Sequence, residues 1–410
     1  MGSKFLEGIR PNVLALGAAS FFNDVSSEMI LPILPVFLTA VMGVGPSIVG
    51  LIEGVADSAS SLLDIFVGYW SDLGGRRKRF VLAGYGLSSL SKFGIALSGS
   101  WPLILLFRGA DRLGKSVRTA PRDALIAASS DKSVRGKAFG LHRAMDTLGA
   151  VAGPILAYLI LSAMGSTADG YRAVFLAASL PAFLVLAVIF LFVKEPKKES
   201  TIKGGPGRPK RASDPKGIHP APRPNFWASL RALPSDYRRF VLISCLFSLS
   251  YFSFALLIVR ASEIGIPSTS ILLVYILYNI VYAAASVPIG QLSDRIGRKR
   301  VIVGSFLLYA LVLAGFAYVS TLWQLALLFA LYGLFVAADD SVSKAYLSDI
   351  STDRTRGMAL GAYNSAVGAA YLPASVLAGA AWAAFGALPT FLAAAAVAAF
   401  SGLAMAAYAK

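Results

Sequence analysis

Twelve apolar stretches follow one another along this chain, at roughly 11–41, 47–71, 80–99, 101–128, 135–164, 171–193, 237–263, 268–293, 300–319, 322–349, 357–385 and 387–409. A helix that crosses the hydrocarbon layer of a bilayer needs about 20 predominantly apolar residues. Each stretch is long enough, so the chain reads as an all-α membrane protein with twelve transmembrane helices. The residue-by-residue alternation of a spanning β-strand is missing, and Ala/Leu/Gly-rich runs of this length suit helices. With 56% hydrophobic and 15% charged residues among 410, the chain also carries more apolar surface than a soluble domain buries. The first stretch contains Asn23, Asp24 and Glu28 and outruns the ~7–15-residue core of a removable signal, so it is expected to be a retained first helix.

The net charge of +16 could suit a nucleic-acid surface, but the placement of the cations points elsewhere. Lys4 and Arg10, Arg76 to Arg79, Lys132/Arg135/Lys137, the segment 194–239, Arg295 to Arg300, Arg354/Arg356 and Lys410 all fall in alternate loops of a twelve-span topology. The opposite loops hold almost no cation, Arg172 being the nearest. By the positive-inside rule both termini are cytoplasmic, and the basic excess serves orientation and contact with anionic membrane lipids, with no nucleic acid as partner.

Two loops repeat each other. Gly68 to Arg79 reads GYWSDLGGRRKR, and Gly290 to Arg300, 222 positions on, reads GQLSDRIGRKR. A second echo, RGKAFGLHRA from Arg135 and RGMALGAYNS from Arg356, has an offset of 221. Between the copies the apolar pattern stops, and KEPKKESTIKGGPGRPKRASDPKG reads as a flexible basic linker. The expected organisation is an N-terminal six-helix bundle over 1–195, a cytoplasmic linker over 196–236 and a C-terminal six-helix bundle over 237–410. Two parallel six-helix repeats are the arrangement of a transporter that rocks one bundle against the other.

These loops, glycine, three residues, aspartate, two residues, glycine and then basic residues, resemble the signature of the major facilitator superfamily. They match at Gly68, Asp72, Gly75 and Arg76, and again at Gly290, Asp294, Gly297 and Arg298. Leu73 departs from the pattern where the family carries a cation; Arg295 fills that place in the second copy. The stretch DRLGKSVRTAPRDALIA further resembles a bacterial and archaeal branch of the superfamily. The resemblance implies two pseudo-symmetric bundles, a monomer, a small-molecule substrate, alternating access, a cell (inner) membrane location and a gate at Asp72 and Asp294. The residues themselves allow another role for these loops, in which the cations anchor them to headgroups.

Charges recur inside the spans. Glu53, Asp57 and Asp64, spaced four and seven apart, fall within roughly 40° of one another on a helix. Arg108, Arg112, Lys115, Arg118 and Arg122 fall within roughly 120°. Facing such groups to lipid costs on the order of 2.5–3.5 kcal/mol each even on a lenient scale, so both stripes must face protein or a water-filled cavity. Asp24 and Glu28, Lys92, and His142, Arg143 and Asp146 add to this network. Either the acids and bases pair structurally, or Asp24, Glu28, Glu53, Asp57, Arg108, Arg112 and Asp146 couple protons and bind substrate. A carboxylate in low dielectric holds protons more tightly, and a cationic neighbour or substrate reverses this. Competition between the two is the simplest antiport.

The second half offers aromatics and amides instead. Tyr251, Tyr275, Asn279, Asp339 and Asn364 are the candidate cavity-lining residues, with Tyr275 and Asn279 one turn apart. Phe254, Tyr278, Tyr282, Tyr332 and Tyr363 share this aromatic character, which could equally serve packing. In the fifth span, Gly149, Gly153 and Pro154 resemble the G-x-x-x-G-P core of the superfamily's antiporter signature, although Leu156 and Ala157 replace its trailing glycines. Helix packing alone is the other reading of those glycines.

One cysteine, Cys245, and two histidines, His142 and His219, leave no disulfide and no transition-metal site to expect. No cofactor is called for, and G-x-S-x-G, H-E-x-x-H and a P-loop are absent, which argues against an enzyme. The expected function is transport of a small organic solute by proton-coupled efflux. Proton symport or facilitated uptake of an anionic metabolite is the main alternative, and a non-transporting receptor on the same scaffold the alternative of another class.

Overall fold

The computed structural model describes residues 9–74, 77–131, 134–195, 234–351 and 356–409, excluding the side chains of 61–74, 356–358 and 409. The linker and the Gly75 and Arg76 positions therefore lie outside the described residues, as do the side chains at Gly68 and Asp72.

The described residues form twelve helical spans. The first half comprises α1 (Pro11–Ile30, continued to Val41), α2 (Pro46–Gly74), α3 (Arg77–Leu97), α4 (Trp101–Ala128), α5 (Arg135–Met164) and α6 (Ala168–Phe192). The second comprises α7 (Ser235–Ser248 and Phe254–Glu263), α8 (Ser268–Ile296), α9 (Arg298–Tyr318), α10 (Leu322–Asp349), α11 (Arg356–Phe385) and α12 (Ala387–Ala409). Among the described residues, nine spans are apolar and long enough to cross a membrane by composition alone. The strongly charged α4 is not one of them, nor is the broken α7.

Local chemistry sets where the helices start and stop. Pro11 opens α1 at a position whose N–H has no helical partner anyway. Pro32 and Pro35 lack the N–H groups a continuous helix needs, and the chain passes through a turn and a short helix into a π-turn at Phe37–Val41. Thr321 and Gln324 close a reciprocal capping box at the start of α10. Gly297 turns the chain between α8 and α9 at φ 96°, a backbone conformation that favours glycine.

The seventh span corrects the sequence reading, which took 237–263 as one helix. It breaks between Ser248 and Phe254 without proline or glycine. Serines supply the competing bonds: Ser250 Oγ donates to the Phe247 carbonyl at 2.6 Å, and Ser253 Oγ accepts from the Ala255 N–H at 3.3 Å. The Ser253 N–H donates to Ser375 Oγ on α11 at 2.9 Å.

The helix packing repeats. In the first half α1 packs on α5 and α6, α2 on α4, and α3 on α4 and α6; in the second, α7 packs on α11 and α12, α8 on α10, and α9 on α10 and α12. Each pair reappears six helices later, as two pseudo-symmetric bundles require. Leu106, Leu180, Phe190, Trp323, Phe385 and Phe400 are exposed, an outer apolar belt suited to lipid.

Between the halves, α2 lies along α11, α5 along α8, and the second segment of α7 against α1 and α2. The α2–α11 contact is close because glycines form it. A Cβ at Gly379 would sit 2.7 Å from the Pro46 carbonyl oxygen, and one at Gly50 would collide with the Ser375 carbonyl. Ser58 Oγ adds a hydrogen bond to the Gly368 carbonyl at 2.9 Å. Pro46 and Gly379 lie near the helix ends opposite the linker, so the halves meet tightly on that face.

Candidate functional site

A cavity of about 340 Å³ lies between the halves, and the two walls differ in chemistry. The first half contributes Asp24, Glu28, Glu53, Asp57, Arg112 and Asp146. All six were singled out in the sequence, and helical spacing explains their convergence: Asp24 and Glu28 are one turn apart on α1, as are Glu53 and Asp57 on α2. Arg108, the seventh, does not line the cavity. It stands behind Glu53, its Nε and Nη2 each donating to a Glu53 carboxylate oxygen at 2.9 Å, with both side chains about 95% buried. Arg108 also reaches Asp111 at 3.4 Å. Arg112 approaches Asp57 at 3.5 Å, and that carboxylate is one-third exposed in the cavity.

Glycine brings α5 against α1. A Cβ at Gly149 would lie 2.6 Å from the Phe21 carbonyl oxygen, and one at Gly153 2.6 Å from that of Val25. Gly149 also abuts the Cβ of Asp24, and Gly153 that of Glu28, so this close seam sets where both carboxylates stand. Asp146 joins them from α5, with His142 Nδ1 at 3.5 Å. Pro154 offers no N–H to the Ala150 carbonyl, and Ala150 lines the cavity. Gly149 and Gly153 thus pack α5 directly on α1.

The second half supplies the other wall: Tyr251, Phe254, Tyr275, Tyr278, Tyr282 and Tyr332, with Asn279. Phe254 centres it, with the rings of Tyr275, Tyr278 and Tyr332 at 5.3–5.4 Å. Tyr251, Tyr275 and Asn279, candidates from the sequence, line this cavity. Asp339 and Asn364 line neither this cavity nor the adjoining one of about 290 Å³. Asp339 lies seven residues past cavity-lining Tyr332, and Asn364 seven before Tyr371, which lines the adjoining cavity. Seven residues keep the face but shift depth by about 10 Å, here toward the linker side. Asn364 is exposed, and Asp339 accepts from Ser343 at 3.2 Å instead.

Two contacts span the halves at the cavity. Tyr275 donates its hydroxyl proton to the Glu28 carboxylate in a short hydrogen bond. Arg143 on α5 donates to the Tyr282 hydroxyl at 2.6 Å, and that hydroxyl donates to Asp340 at 3.3 Å. Lys344 pairs with Asp340. The sequence missed Tyr371, Ser253 and Ser375, which line the adjoining cavity with Asp57, Arg112 and Lys115. Tyr371 follows Tyr363 by eight residues, a same-face spacing that could have flagged it. Among the described residues, the buried Arg112 Nε and Asp146 Oδ1 make no hydrogen bond, although both side chains line the cavity.

At the second repeated loop, Arg298 takes Asp294 at 3.4 Å and also pairs with Asp349 at the end of α10. The loop aspartate is thus held by an arginine of its own half. Lys299 sits 4.0 Å over the Tyr408 ring. Gly290 is on α8, one turn before Asp294, and Gly297 makes the turn.

The family model described as Major Facilitator Superfamily matches residues 16–260 and 240–410, nearly the whole chain. The chain belongs to the major facilitator superfamily. This superfamily member is 40% identical over 377 residues to an uncharacterized MFS-type transporter of Methanocaldococcus jannaschii, covering 90% of this chain and 88% of the relative. It is 28% identical to the fosmidomycin resistance protein of Escherichia coli, over 88% of this chain and 84% of that protein. Among solved structures, the nucleoside transporter NupG superposes with a TM-score of 0.74 at 13% identity, covering 97% of this chain and 99% of that one. A D-xylose-proton symporter gives 0.72 at 18% identity, with 96% of each chain covered. These structural likenesses carry the twelve-helix superfamily fold. The family match and the apolar spans make this chain a multi-pass membrane protein of a transporter superfamily.

Proposed function

We propose that this transporter exports a small organic solute in exchange for protons, by alternating access of residues 1–195 and 237–410 about the central cavity. The observation that carries the reading is the Glu28–Tyr275 hydrogen bond. It joins an ionisable group of one half to the other half at the wall of the cavity, so protonation, substrate occupancy and the contact between the moving bodies share one place. Asp24, Asp57 and Asp146 stand on the same wall, where a proton and a substrate compete for carboxylate oxygens. The similarity to a fosmidomycin resistance protein supports export, because removing a compound from the cell is one route to resistance.

In this reading both termini face the cytoplasm of a bacterial or archaeal cell, and the protein works as a monomer in the cell (inner) membrane. The described halves touch at Gly50 and Gly379, on the face opposite the linker, which corresponds to a state closed to the outside. Arg298 with Asp294 and Asp349 serves as part of the inner gate, and Asp72 has the equivalent part in the first half. Exposed Arg79, Arg295 and Arg300 meet anionic headgroups.

The test uses purified protein in liposomes holding a pH dye, challenged with solutes of several classes. Proton movement opposite to one solute, lost in Asp57→Asn, is expected. Solute flux without proton movement refutes the coupling and leaves a facilitator; proton movement in the same direction as an organic anion establishes the symport alternative.

A further inference from the structure

We infer that the cavity takes an organic cation bearing an aromatic or similarly flat apolar group, held between the Asp24/Glu28/Asp146 corner and the Tyr251–Phe254–Tyr278 wall. This rests on the transport reading above and names the class of its substrate.

The charge pairing leads to it. Five carboxylates line the cavity against two guanidiniums, those of Arg112 and Arg143. Glu53 is taken up by Arg108 from behind, and Asp57 by Arg112. Arg143 is turned to the Tyr282 hydroxyl, and Lys115 lies in the adjoining cavity beside Asp57. No ion pair to an arginine or lysine is made by Asp24, Glu28 or Asp146 among the described residues. Asp24 takes only the Asn23 amide at 3.0 Å, Glu28 the Tyr275 hydroxyl, and one oxygen of Asp146 is without a donor. All three side chains are half-buried and present surface to the cavity. The corner therefore has acceptor capacity and negative charge to spare.

The facing wall suits the same ligand. Tyr251, Phe254, Tyr278 and Tyr282 are the half-buried rings there, Tyr282 being engaged by Arg143, whereas Tyr275 and Tyr332 are almost wholly covered. A ring face attracts a cation within about 6 Å through its quadrupole, more so where water is excluded. A flat apolar group would lie on the same rings, and the volume of about 340 Å³ admits a molecule of modest size. An organic anion would meet this corner as like charge and would have only Arg112, already facing Asp57, and Arg143, already turned to Tyr282, to hold it.

The experiment measures binding to the full-length protein in nanodiscs. The probes are benzyltrimethylammonium, tetraphenylphosphonium and their charge-opposite counterpart benzenesulfonate, with counterflux in liposomes run in parallel. Cation binding is expected to fall about tenfold or more in Asp24→Asn and in Glu28→Gln, as loss of a charge partner predicts. It should fall several-fold in Tyr278→Leu and hold in Tyr278→Phe, which keeps the ring. Binding of benzenesulfonate, lost in Arg112→Gln, with no binding of either cation overturns the substrate class; if benzenesulfonate is also transported, the transport reading survives. Cation binding unchanged in all four variants at Asp24, Glu28 and Tyr278 overturns the site. Binding that responds to these variants without any flux upholds the cation site and refutes transport instead.

Discussion

The Glu53–Arg108 pair is the sharpest place to separate structural charge from working charge. Glu53 lines the cavity, yet both its oxygens are taken by Arg108 in a two-pronged contact at 2.9 Å, with both groups about 95% buried. Breaking such a pair from one side strands a charge and costs about 3–5 kcal/mol. The two sides are unequal, because Arg108 has a second carboxylate, Asp111, at 3.4 Å. Glu53→Gln leaves Arg108 still partnered and should fall at or below the bottom of that range. Arg108→Met leaves both Glu53 and Asp111 without this cation and should reach its top. The double variant Glu53→Gln/Arg108→Met removes both charges of the pair, and it should recover about 2 kcal/mol or more of the summed single losses, the size of a strong coupling between contacting residues. The assay is thermal unfolding of purified variants in detergent, read with the solute-driven proton flux of each. If Glu53→Gln abolishes proton flux while the shift in unfolding midpoint and the double-mutant coupling stay near zero, Glu53 is a coupling group and the structural assignment of this pair is wrong.

Two further outcomes follow from close contacts. Gly153→Val drives a side chain into the Val25 carbonyl at 2.6 Å and the Glu28 Cβ at 2.9 Å; it should cost about 1–3 kcal/mol and lower transport, visible as a lower unfolding midpoint and slower flux, whereas an unchanged protein refutes the close α1–α5 seam. Arg298→Gln loses both Asp294 and Asp349, but these acids are more than half exposed, so stability should change by about 1 kcal/mol or less. Turnover should still fall, and unaltered flux in liposomes rules out a gate role for this arginine.

Much of this arrangement was legible because a bilayer makes sequence unusually explicit. A charge in the middle of an apolar span cannot face lipid, and its neighbours one turn away share its direction; those two facts alone put Asp24, Glu28, Glu53, Asp57, Arg112 and Asp146 around one space. Partner choice was not legible. Whether Glu53 meets Arg108 or Arg112 depends on the register of α2 against α4, which is set by side chains along the whole contact. The break in α7 was invisible for a different reason. Serines between Ser248 and Ser253 carry no steric veto on a helix, and they open it only because Ser375 and Tyr309, distant in sequence, bond the freed backbone: the Tyr309 hydroxyl donates to the Ser250 carbonyl at 3.2 Å. Asp339 and Asn364 were misplaced in depth alone, since a helical pattern repeats every two turns and does not say which repeat lies level with the cavity.

The packing scheme is the same in both halves, while their chemistry is not, and that asymmetry bears on how a rocking transporter can couple two ligands. If both walls were acidic, a bound cation would hold the halves together in either protonation state. Here the acids line one wall, and the other offers hydroxyls and ring faces whose hold depends on what the first wall carries. A charged Glu28 accepts from Tyr275; a proton on Glu28 removes that full acceptor charge, and a cation in the corner competes for it. In the proposed exchange, the contact released as the halves swing is therefore weakened by either ligand. The glycine contacts of α2 with α11 carry no charge and respond to neither ligand, so in the proposed exchange their separation on the far face follows the cavity rather than leading it.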